Sequence, residues 1–558
     1  MASVSAHVAI TLAQHVDHVF GVMGNGNAYF LDALERETRA TYTALRHEAG
    51  AVVAADAHYR VSGSLAAATT TYGAGFTNTL TALAEATQAQ IPLVLVVGDE
   101  PTSGPRAWDV DQIALAAACG ARTYTVRRTD AAATTVIAVE HAMKYRVPTV
   151  LAIPYDVARS EAGAVPGSTR PELPVPVALA DRFSEDNLYS LAGRLAEAER
   201  PLVIAGRGAF LAGAADQLGR LAASVGALTA TTALARSIFP DSTNDLGVVG
   251  GFGAEKAMRL VRQADVVVVF GASLNQFTMR FGGRFAPGTY VAQVDIRPAA
   301  THPHVGAYIQ GDARLVAGLL ADQVQRLDHA HGGWRGSVDV EHLCEREDAD
   351  EYAPDGRLDP RAVARGIAEH LPANRVVVSD GGHFIGWANM YWPVASPERM
   401  VMVGTAYQSI GFGFPSVPGA ALAKPDATVV LTTGDGGGLM ALADLESAVR
   451  VAGGRGLAIV WNDGAYGAEV NLYGLLGLSE TPMLIPEVDF AGLARAVGAH
   501  GVVVESLDDL KALQDWSLMN PEDRPFLLLD VRISARVVAP HQREIVHHLN
   551  ARPAIKYA

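Results

Sequence analysis

The chain has 558 residues, a formal net charge of −15 and a hydrophobic content of 49%. Because a single hydrophobic core stops growing at about 250–300 residues, this length predicts two or three domains, and the apolar content is sufficient to build a core for each. The acidic balance, without a basic tract, excludes nucleic acid as the main partner. No apolar run approaches the ~18 residues that span a bilayer, and no basic segment precedes an apolar one at the N-terminus, so we expect no membrane partner and no signal peptide. Cys119 and Cys344 form no motif, and this scarcity favours a reducing, cytoplasmic location.

Strand-like apolar runs alternate with helical patterns along most of the chain, which predicts parallel sheets in an α/β fold. Two stretches interrupt this alternation, since 163–176 is rich in Pro and Gly and 328–356 is polar and acidic. We interpret both stretches as linkers. They divide the chain into three predicted units, residues 1–162, 180–326 and 357–540.

The first unit carries two candidate site residues just after predicted strands. Strand 19–23 leads into Gly24-Asn25-Gly26-Asn27, where Asn25 either contacts a ligand or belongs to a left-handed turn, for which Asn and Gly are preferred. Strand 41–45 leads into Glu48, which opens a helix that continues to about residue 59. Taken alone, Glu48 is equally well explained as an acid that stabilises the helix dipole.

Two further turns of the first unit carry candidate substrate contacts. Thr71 ends the predicted strand 65–71, and Trp108 lies in the segment 106–112 that follows strand 92–98. The carboxyl ends of neighbouring parallel strands meet at one sheet edge, where α/β proteins bind ligands. Thr71 and Trp108 become candidate substrate contacts through the family resemblance given below, because they stand where members of that family carry catalytic residues.

The second unit contains two glycine-rich turns after predicted strands. These turns are Gly206-Arg207-Gly208 and Gly271-Ala272-Ser273, and they follow strands 202–205 and 266–270. Such degenerate turns are weak indicators of a bound nucleotide. An empty or structural site is favoured there; some members of the family that the chain resembles, given below, bind FAD at these turns, and FAD remains the open alternative.

The third unit holds the pattern with the most specific chemistry. Strand 428–431 and strand 456–461 deliver Asp435 and Asn462 to the same predicted sheet edge. Apolar residues recur at helical spacing from 438 to 451, which predicts a helix whose amino end attracts phosphate. One carboxylate, one amide oxygen and diphosphate oxygens suit Mg²⁺. The glycines of the two turns are Gly434, Gly436, Gly437 and Gly464.

Two later segments of the third unit are less informative. Tyr466 and Glu469 lie at the start of a loop after Asn462, and Glu469 either orients a substrate or faces solvent. Residues 532–543 carry arginines and His541, which either reach a substrate carboxylate, form a closing tail or belong to a solvated tail, and the solvated tail is favoured.

Three segments together resemble the signature of the thiamine diphosphate (ThDP)-dependent enzymes, in the acetolactate synthase and benzoylformate decarboxylase branch. The segments are Gly434-Asp435-Gly436 with the later Asn462, His47-Glu48-Ala49-Gly50-Ala51, and the stretch from Gly404 to Pro415. The family's second motif is Asn-Asn, and Trp461 replaces its first Asn here. The resemblance covers nearly the whole chain and implies an α/β fold with three doubly wound parallel-sheet domains, which are pyrimidine-binding, central and diphosphate-binding in that order.

The resemblance also implies a role for each residue. Glu48 would donate a proton to N1′ of the aminopyrimidine ring, and a raised pKa in an apolar pocket would keep it protonated. Ile410 would wedge between the two rings of ThDP, and the main-chain carbonyl of Gln408 would accept a hydrogen bond from the 4′-amine. Asp435, Asn462 and the carbonyl of Gly464 would bind the metal. Backbone N–H groups around Gly382 and His383, and those of the Gly434–Gly437 turn, would meet the diphosphate, while Tyr407 would add a side chain to the site.

In the family, ThDP lies between two subunits, so Glu48 and Asp435 would belong to different chains of one site. This implies a homodimer at minimum, and the family's habit favours a homotetramer. The implied activity is an acetolactate synthase-like carboligase, which decarboxylates a 2-oxo acid donor and passes the acyl anion equivalent to an aldehyde or ketone acceptor.

Two alternatives stay open. A decarboxylase that releases an aldehyde needs an acid to return a proton, and because the family's catalytic histidines and its Phe-Gln-Glu pattern are absent around Thr71 and Trp108, that role would fall to water, His383 or Glu469. The apolar wall that contains Trp108 favours carbon–carbon bond formation instead. The second alternative is a homologue that binds ThDP without turnover.

Overall fold

The computed structural model describes residues 2–167, 171–327 and 333–551. It contains three six-stranded sheets, and every pair of neighbouring strands within each of them is parallel. The predicted fold, α/β with three doubly wound parallel sheets, is therefore confirmed. Residues 168–170 of the first predicted linker and 328–332 of the second lie outside the described residues.

The N-terminal sheet has the strand order β3-β2-β4-β5-β7-β6, and β1 pairs separately with β8 in antiparallel fashion. Its strands are β1 Ala2–Ser3, β2 His18–Gly21, β3 Thr41–Ala44, β4 Ala67–Thr70, β5 Leu93–Asp99, β6 Arg122–Thr125, β7 Pro148–Pro154 and β8 Glu161–Gly163. Its helices are α1 Val4–Leu12, α2 Ala28–Glu37, α3 Glu48–Ser62, α4 Ala74–Thr77, α5 Leu80–Gln88, α6 Gln112–Ala118 and α7 Ala131–Tyr145.

The central sheet has the order β11-β10-β9-β12-β13-β14. Its strands are β9 Pro201–Ala205, β10 Leu228–Thr231, β11 Asp245–Val248, β12 Val266–Phe270, β13 Tyr290–Asp295 and β14 Val305–Gln310. The accompanying helices are α8 Arg182–Glu197, α9 Arg207–Leu211, α10 Ala215–Ser224, α11 Glu255–Val261, α12 Ala313–Leu327, α13 Trp334–Ser337 and α14 Val340–Cys344. The last two fall in the predicted second linker, but Trp334 and Val340 are buried in the central core, so this part of the chain packs as structure.

The C-terminal sheet has the order β16-β15-β17-β18-β20-β19. Its strands are β15 Arg375–Ser379, β16 Met400–Met402, β17 Thr428–Gly434, β18 Gly456–Asn462, β19 His500–Val504 and β20 Leu527–Arg532. Its helices are α15 Pro360–His370, α16 Ile385–Tyr391, α17 Gly413–Ala423, α18 Asp435–Met440, α19 Leu445–Ala452, α20 Gly467–Glu469, α21 Phe490–Ala496, α22 Lys511–Leu518 and α23 Pro540–Ala551.

Each sheet separates two apolar cores, one on either face. In β17, Val430 packs into one core while Val429 and Leu431 pack into the other, as the alternation of side chains along a strand requires. Strands buried on both faces are continuous apolar runs, which explains why the sequence pattern located them well.

The helix predicted over 438–451 is two helices in the structure. The first, α18, begins at Asp435, and the second, α19, begins at Leu445. Between them the buried carboxylate of Asp444 accepts hydrogen bonds from Arg46 N (2.8 Å) and from the Ser447 hydroxyl (2.8 Å). This tertiary contact with the first unit fixes a break that apolar spacing alone does not reveal.

The N- and C-terminal units pack directly against each other through α3 and α17. The contact is close because Gly419 of α17 lies against the backbone of Ala54 in α3, where a Cβ atom would overlap the Ala54 carbonyl oxygen. Among the helices formed by the described residues, none is long and apolar enough to cross a bilayer.

Candidate active site

Asp435 and Asn462 lie at adjacent strand ends of the C-terminal sheet. β17 and β18 are neighbours, with Gly434 paired in register with Trp461, so the two polar residues that follow are brought to the same edge. Both side chains are buried, Asn462 completely. Trp461, which replaces the family's first Asn, points into the sheet core and donates from Nε1 to Thr432 Oγ1 over 2.7 Å.

The hydrogen bonds of these two residues leave a free oxygen. Asp435 accepts from Gly436 N through Oδ1 (2.9 Å) and from Gly464 N through Oδ2 (3.0 Å). Asn462 donates from Nδ2 to Asp530 Oδ1 and to Val488 O, but its buried Oδ1 has no partner among the described residues. A buried oxygen without a donor costs free energy, and a cation bound beside Asp435 would satisfy it.

Asp463 adds a second carboxylate to this edge. Burial raises the pKa of both Asp435 and Asp463, and the charge of Asp435 raises that of Asp463 further. Two carboxylates that resist ionisation together are stabilised by a divalent cation. Gly464 has a φ of +69°. Its carbonyl oxygen accepts a hydrogen bond from Ile485 N (2.8 Å), which leaves a second lone pair of this oxygen free to bind a cation.

The glycines at the start of α18 are required by close packing. A Cβ on Gly436 would lie 2.8 Å from Tyr466, and one on Gly437 would lie 2.7 Å from Asp380 Oδ2. Backbone N–H groups therefore line this edge without side chains in front of them, which is the form of a phosphate cradle. Tyr466 covers it from the loop after Asn462, while Glu469 is exposed.

Asp380 organises the cradle, although sequence analysis did not select it. The carboxylate is completely buried and accepts hydrogen bonds from Gly381 N (2.8 Å), Gly411 N (3.1 Å), Phe412 N (3.2 Å) and Thr433 Oγ1 (3.1 Å). Burial raises its pKa. It thus ties the end of β15 to the 404–411 loop and to the end of β17. Asp380 directly follows a strand, as Asp435 does, and this position is the sequence feature that could have predicted its role.

The 404–411 loop is held by the first unit. Gln408 adopts a left-handed conformation with φ of +63° and is exposed, as is Tyr407, whereas Ile410 is half-buried beside Gly381. Glu85, which is 1% exposed, accepts from Tyr407 N over 2.6 Å and from Arg60 Nη2 over 3.2 Å. No local pattern singles out Glu85, because its partners are far away in sequence.

Glu48 lies at the start of α3 and is half-buried. Its Oε2 accepts from Asn78 Nδ2 over 2.9 Å, and a Cβ on Gly75 would lie 3.6 Å from Oε1 and 2.6 Å from the Thr71 methyl group. The structure thus brings Glu48 and Thr71 to the same turn. Within the described residues of one chain, no hydrogen bond or ion pair joins Glu48 to Asp435.

Asn25 belongs to an aromatic cluster beside Thr71. Its Nδ2 donates to the Tyr72 hydroxyl over 3.0 Å, and Thr71 Oγ1 accepts from Gly26 N over 2.9 Å. The Arg106 guanidinium stacks over Tyr72 at 4.1 Å and lies 5.5 Å from the ring of Trp108, which is 62% exposed. No sequence pattern predicts a site role for Tyr72 or Arg106.

His383 is a buried ring packed under the C-terminal segment. Its Nε2 accepts a hydrogen bond from Ala539 N (2.9 Å), and burial lowers its pKa to about 4. The prediction of a solvated tail over 532–543 is wrong. Arg532 ends β20, and His541 is buried, with its ring centre 6.2 Å from that of His383. The apolar surface offered by Phe252 and Phe277 explains why this segment packs inward.

The two glycine-rich turns of the central unit pack against each other. Gly208 N donates to Gly271 O (2.9 Å), and a Cβ on Gly208 would lie 2.8 Å from Gly271 Cα. These glycines therefore allow two backbones to approach, which supports a structural role rather than a flavin site.

The fold and the site define an enzyme that holds a diphosphate cofactor between glycine-rich strand ends. Three family models match the chain in order, namely those of the thiamine pyrophosphate enzyme N-terminal TPP binding domain over residues 2–117, the central domain over 188–320 and the C-terminal TPP binding domain over 380–531. The chain therefore belongs to the thiamine pyrophosphate enzyme family and is a ThDP-dependent enzyme.

Relatives of similar length cover nearly the whole chain. The Escherichia coli K12 acetolactate synthase isozyme 2 large subunit is 27% identical over 92% of this chain and 93% of its own. A probable acetolactate synthase large subunit from Methanocaldococcus jannaschii is 28% identical over 98% and 95%. Sulfoacetaldehyde acetyltransferase from Alcaligenes xylosoxydans xylosoxydans is 27% identical over 97% and 94%.

Solved structures share the fold at lower identity. The 4-hydroxybenzoylformate decarboxylase of Rhodococcus jostii RHA1, which is ThDP-dependent, superposes with a TM-score of 0.75 at 21% identity, over 96% of this chain and 99% of that one. A candidate thiamin diphosphate-dependent enzyme from Mycobacterium smegmatis gives a TM-score of 0.77 at 22% identity, over 96% and 100%.

Proposed function

We propose that this enzyme decarboxylates a 2-oxo acid with ThDP and Mg²⁺ and joins the resulting acyl fragment to an aldehyde or ketone acceptor. The observation that carries the proposal is the donor set at the edge of the C-terminal sheet, where the unpartnered Oδ1 of Asn462 lies at the strand end next to that of Asp435. This set suits a small divalent cation that holds a diphosphate.

The metal would be held by Asp435, by Oδ1 of Asn462 and by the second lone pair of the Gly464 carbonyl. Diphosphate oxygens and water would complete the octahedral coordination that Mg²⁺ prefers. The diphosphate itself would meet the N–H group of Gly437 and those around Gly382 and His383, while the N–H of Gly436 stays with Asp435 Oδ1.

ThDP, when bound, supplies the electron sink that makes cleavage next to a carbonyl feasible. The chain supplies geometry and one proton relay. In this proposal the Glu48 carboxyl holds the proton shared with N1′ of the pyrimidine, the Gln408 carbonyl accepts from the 4′-amine, and Ile410 keeps the two rings folded together. The left-handed backbone at Gln408 supports its part, because a strained conformation is retained where surrounding contacts demand it.

Glu48 and Asp435 would meet across two subunits. This part of the proposal rests on the resemblance to the family, in which ThDP lies between two subunits. The active form is then a homodimer or a larger homo-oligomer, with homotetramer as the favoured state.

Carboligation is preferred over simple decarboxylation because His383, one of the acids considered for aldehyde release, is engaged in another contact. Aldehyde release needs an acid to return a proton, but His383 is buried and its Nε2 already accepts from Ala539 N. The wall formed by Tyr72 and the exposed Trp108 leaves an aromatic surface for a second carbonyl compound. Among the relatives, a synthase and an acetyltransferase are named, which agrees with acyl transfer.

A product screen tests the proposal. The purified enzyme with ThDP and Mg²⁺ is incubated with a panel of 2-oxo acids, each with and without aldehyde or ketone acceptors, and products are identified by mass spectrometry. A new carbon–carbon product that requires the acceptor is expected. Aldehyde and CO₂ alone would replace the carboligase by a decarboxylase.

Glu48→Gln is the matched catalytic variant, because Gln keeps the size of the side chain but its amide cannot release or take up a proton. Loss of a positioned acid or base typically lowers turnover about 10²–10⁴-fold, and we expect ThDP binding to persist. Full turnover by this variant would remove Glu48 from the reaction. Failure of both proteins to convert any substrate while binding ThDP would favour a homologue without turnover.

A further inference from the structure

A cavity of about 760 Å³ lies between the central unit and the C-terminal helix α23, away from the candidate active site. One wall is formed by α11 and by the turn over residues 280–284, and the other by the first turns of α23. A volume of this size accommodates a small organic ligand.

The wall from the central unit is strongly basic. It carries Arg259, Arg262, Arg280 and Arg284. Arg280 is neutralised, since it pairs with Glu255 (3.1 Å) and with Glu544. Within residues 2–167, 171–327 and 333–551, no carboxylate pairs with the other three arginines.

Arg284 is the most informative of them because it is only 2% exposed. Its Nη1 donates to Met258 O over 3.2 Å, but Nε and Nη2 find no acceptor among the described residues. Burial lowers the pKa of this guanidinium to about 10. A buried cation with unused donors is costly unless an anion satisfies it.

The opposite wall adds further donors. Arg543, His547 and His548 of α23 line the cavity, and the His548 ring stacks on Phe281 at 4.2 Å with an angle of 13° between the planes. Phe281 and Arg280 both adopt positive φ, +57° and +45°. Such backbone strain in non-glycine residues is retained where the surroundings demand that conformation, and it is common at ligand sites.

The cavity is positively charged, whereas the whole chain is negatively charged. Five arginines face only Glu255 and Glu544, while the complete protein has a net charge of −15. A local basic concavity in an acidic protein focuses an electrostatic field that selects anions.

We propose that this cavity binds a small molecule through a phosphate or diphosphate group, clamped between the central unit and α23. Guanidinium groups match phosphate oxygens in bidentate geometry, and the free Nε and Nη2 of Arg284 supply one such fork. The site is separate from the ThDP cradle at Asp435 and does not depend on the reaction proposed above.

The first residues of α23 and the residue before it also contact the candidate active site, so a ligand bound at α23 can influence that site. Gln542 Nε2 donates to Ala468 O over 3.0 Å, and the neighbouring Ala539 donates to His383. A ligand that immobilises α23 therefore also restrains the loop after Asn462.

Calorimetric titration with inorganic pyrophosphate in buffer with EDTA tests the proposal. Three proteins are compared, namely the native chain, R259Q/R262Q, and R220Q as control. Arg259 and Arg262 are exposed, so their replacement should spare the fold, and Arg220 is an exposed arginine of another surface that pairs with Asp322. We expect the Kd to rise about tenfold or more in the double variant and to stay unchanged in the control.

Pyrophosphate that entered the ThDP cradle would do so equally in all three proteins, so only the difference between them reports on this cavity. Deuterium exchange supplies a second readout, in which pyrophosphate should protect amides of residues 540–549 in the native protein and not in R259Q/R262Q. Equal affinity of the native and double-variant proteins, or no protection of α23, would overturn the proposal.

Discussion

The side-chain amide of Asn462 donates to Asp530 Oδ1 over 2.9 Å, and this contact decides which way the amide faces. Val488 O accepts from the same nitrogen over 3.1 Å, so both neighbours demand the N–H₂ end. The Oδ1 of Asn462 is consequently turned away from them, buried and free. Asp530, 68 residues further along the chain, thereby prepares the ligand that we propose for Mg²⁺.

Asp530→Asn should weaken metal binding without removing a metal ligand. The two carboxylate oxygens of Asp530 accept hydrogen bonds from Asn462, Phe490 N and Arg532. Asn at this position has only one acceptor oxygen, so the amide of Asn462 would lose its fixed orientation. Loss of such a supporting contact typically costs about 10–100-fold in metal affinity. The Mg²⁺ dependence of ThDP binding measures the effect. The exposed Asp515→Asn serves as control, and an unchanged Mg²⁺ requirement in Asp530→Asn would contradict the assignment.

Glu85→Gln should loosen the 404–411 loop. The carboxylate of Glu85 accepts from Tyr407 N and from Arg60, and the amide nitrogen of Gln would oppose one of these donors. Breaking a buried ion pair costs about 3–5 kcal/mol of unfolding free energy. We expect reduced stability in urea together with weaker ThDP binding, because this loop carries Gln408 and Ile410.

The control for this change is the exposed Glu35→Gln, which should leave both quantities unaltered. If Glu85→Gln lowers stability but leaves ThDP affinity intact, Glu85 is a folding residue and has no part in positioning the loop.

Gly419→Ala should strongly destabilise the interface between α17 and α3. The added methyl group would overlap the Ala54 carbonyl oxygen, and overpacking of this kind typically costs about 1–3 kcal/mol. Gly193→Ala in α8 has open space around its Cβ, so it should be neutral or stabilise by up to about 1 kcal/mol through helix propensity. Thermal and urea unfolding of the two variants measure the contrast, and equal effects would show that the α3–α17 contact is not tight.

His541 and His383 should each contribute a loss of stability as pH falls from 6.5 to about 4, opposite in sign to the contribution of Asp435 and Asp463, whose pKa values burial raises. Burial lowers the pKa of His541 to about 3, with the nearby His383 adding to the shift, and lowers the pKa of His383 to about 4. In the unfolded chain both take up a proton near pH 6.5, so the unfolded state binds more protons within this window. The free energy of unfolding then decreases by about 1.4 kcal/mol per pH unit for each buried histidine.

His541→Phe should flatten this dependence, because Phe cannot take up a proton in the unfolded chain and its ring suits the contact with Phe252. Urea denaturation at pH 7, 6 and 5 measures the slope, with the exposed His500→Gln as reference. A slope identical to that of the native protein would mean that His541 is already charged when folded.

The site residues nearest to a strand end were the most accessible to sequence analysis. Asp435, Asn462 and Glu48 follow apolar strand runs, and the structure places each at the carboxyl edge of its sheet. Asp380 also directly follows an apolar strand, but it was not predicted as a site residue. Glu85 and Asp530 carry no such signal, because the partner that gives each its role, Tyr407 for Glu85 and Asn462 for Asp530, is more than 60 residues away.

Two predicted segments show where local pattern fails. The helix expected over 438–451 breaks at Asp444, whose carboxylate is held by Arg46 N of another unit and by the Ser447 hydroxyl of the next helix. The tail expected over 532–543 folds inward, because His541 meets aromatic rings of the central unit that the tail's own composition does not reveal.

Local patterns are enough to predict the class of fold, the order of the units and the chemistry of the cofactor edge, because strand burial and strand-end glycines depend on neighbouring residues. Folding in three dimensions sets the orientation of the Asn462 amide, the contact of Glu85 with the 404–411 loop and the basic cavity under α23. These depend on groups that are distant along the chain, and no pattern of spacing records which of them will meet when the sheets pack.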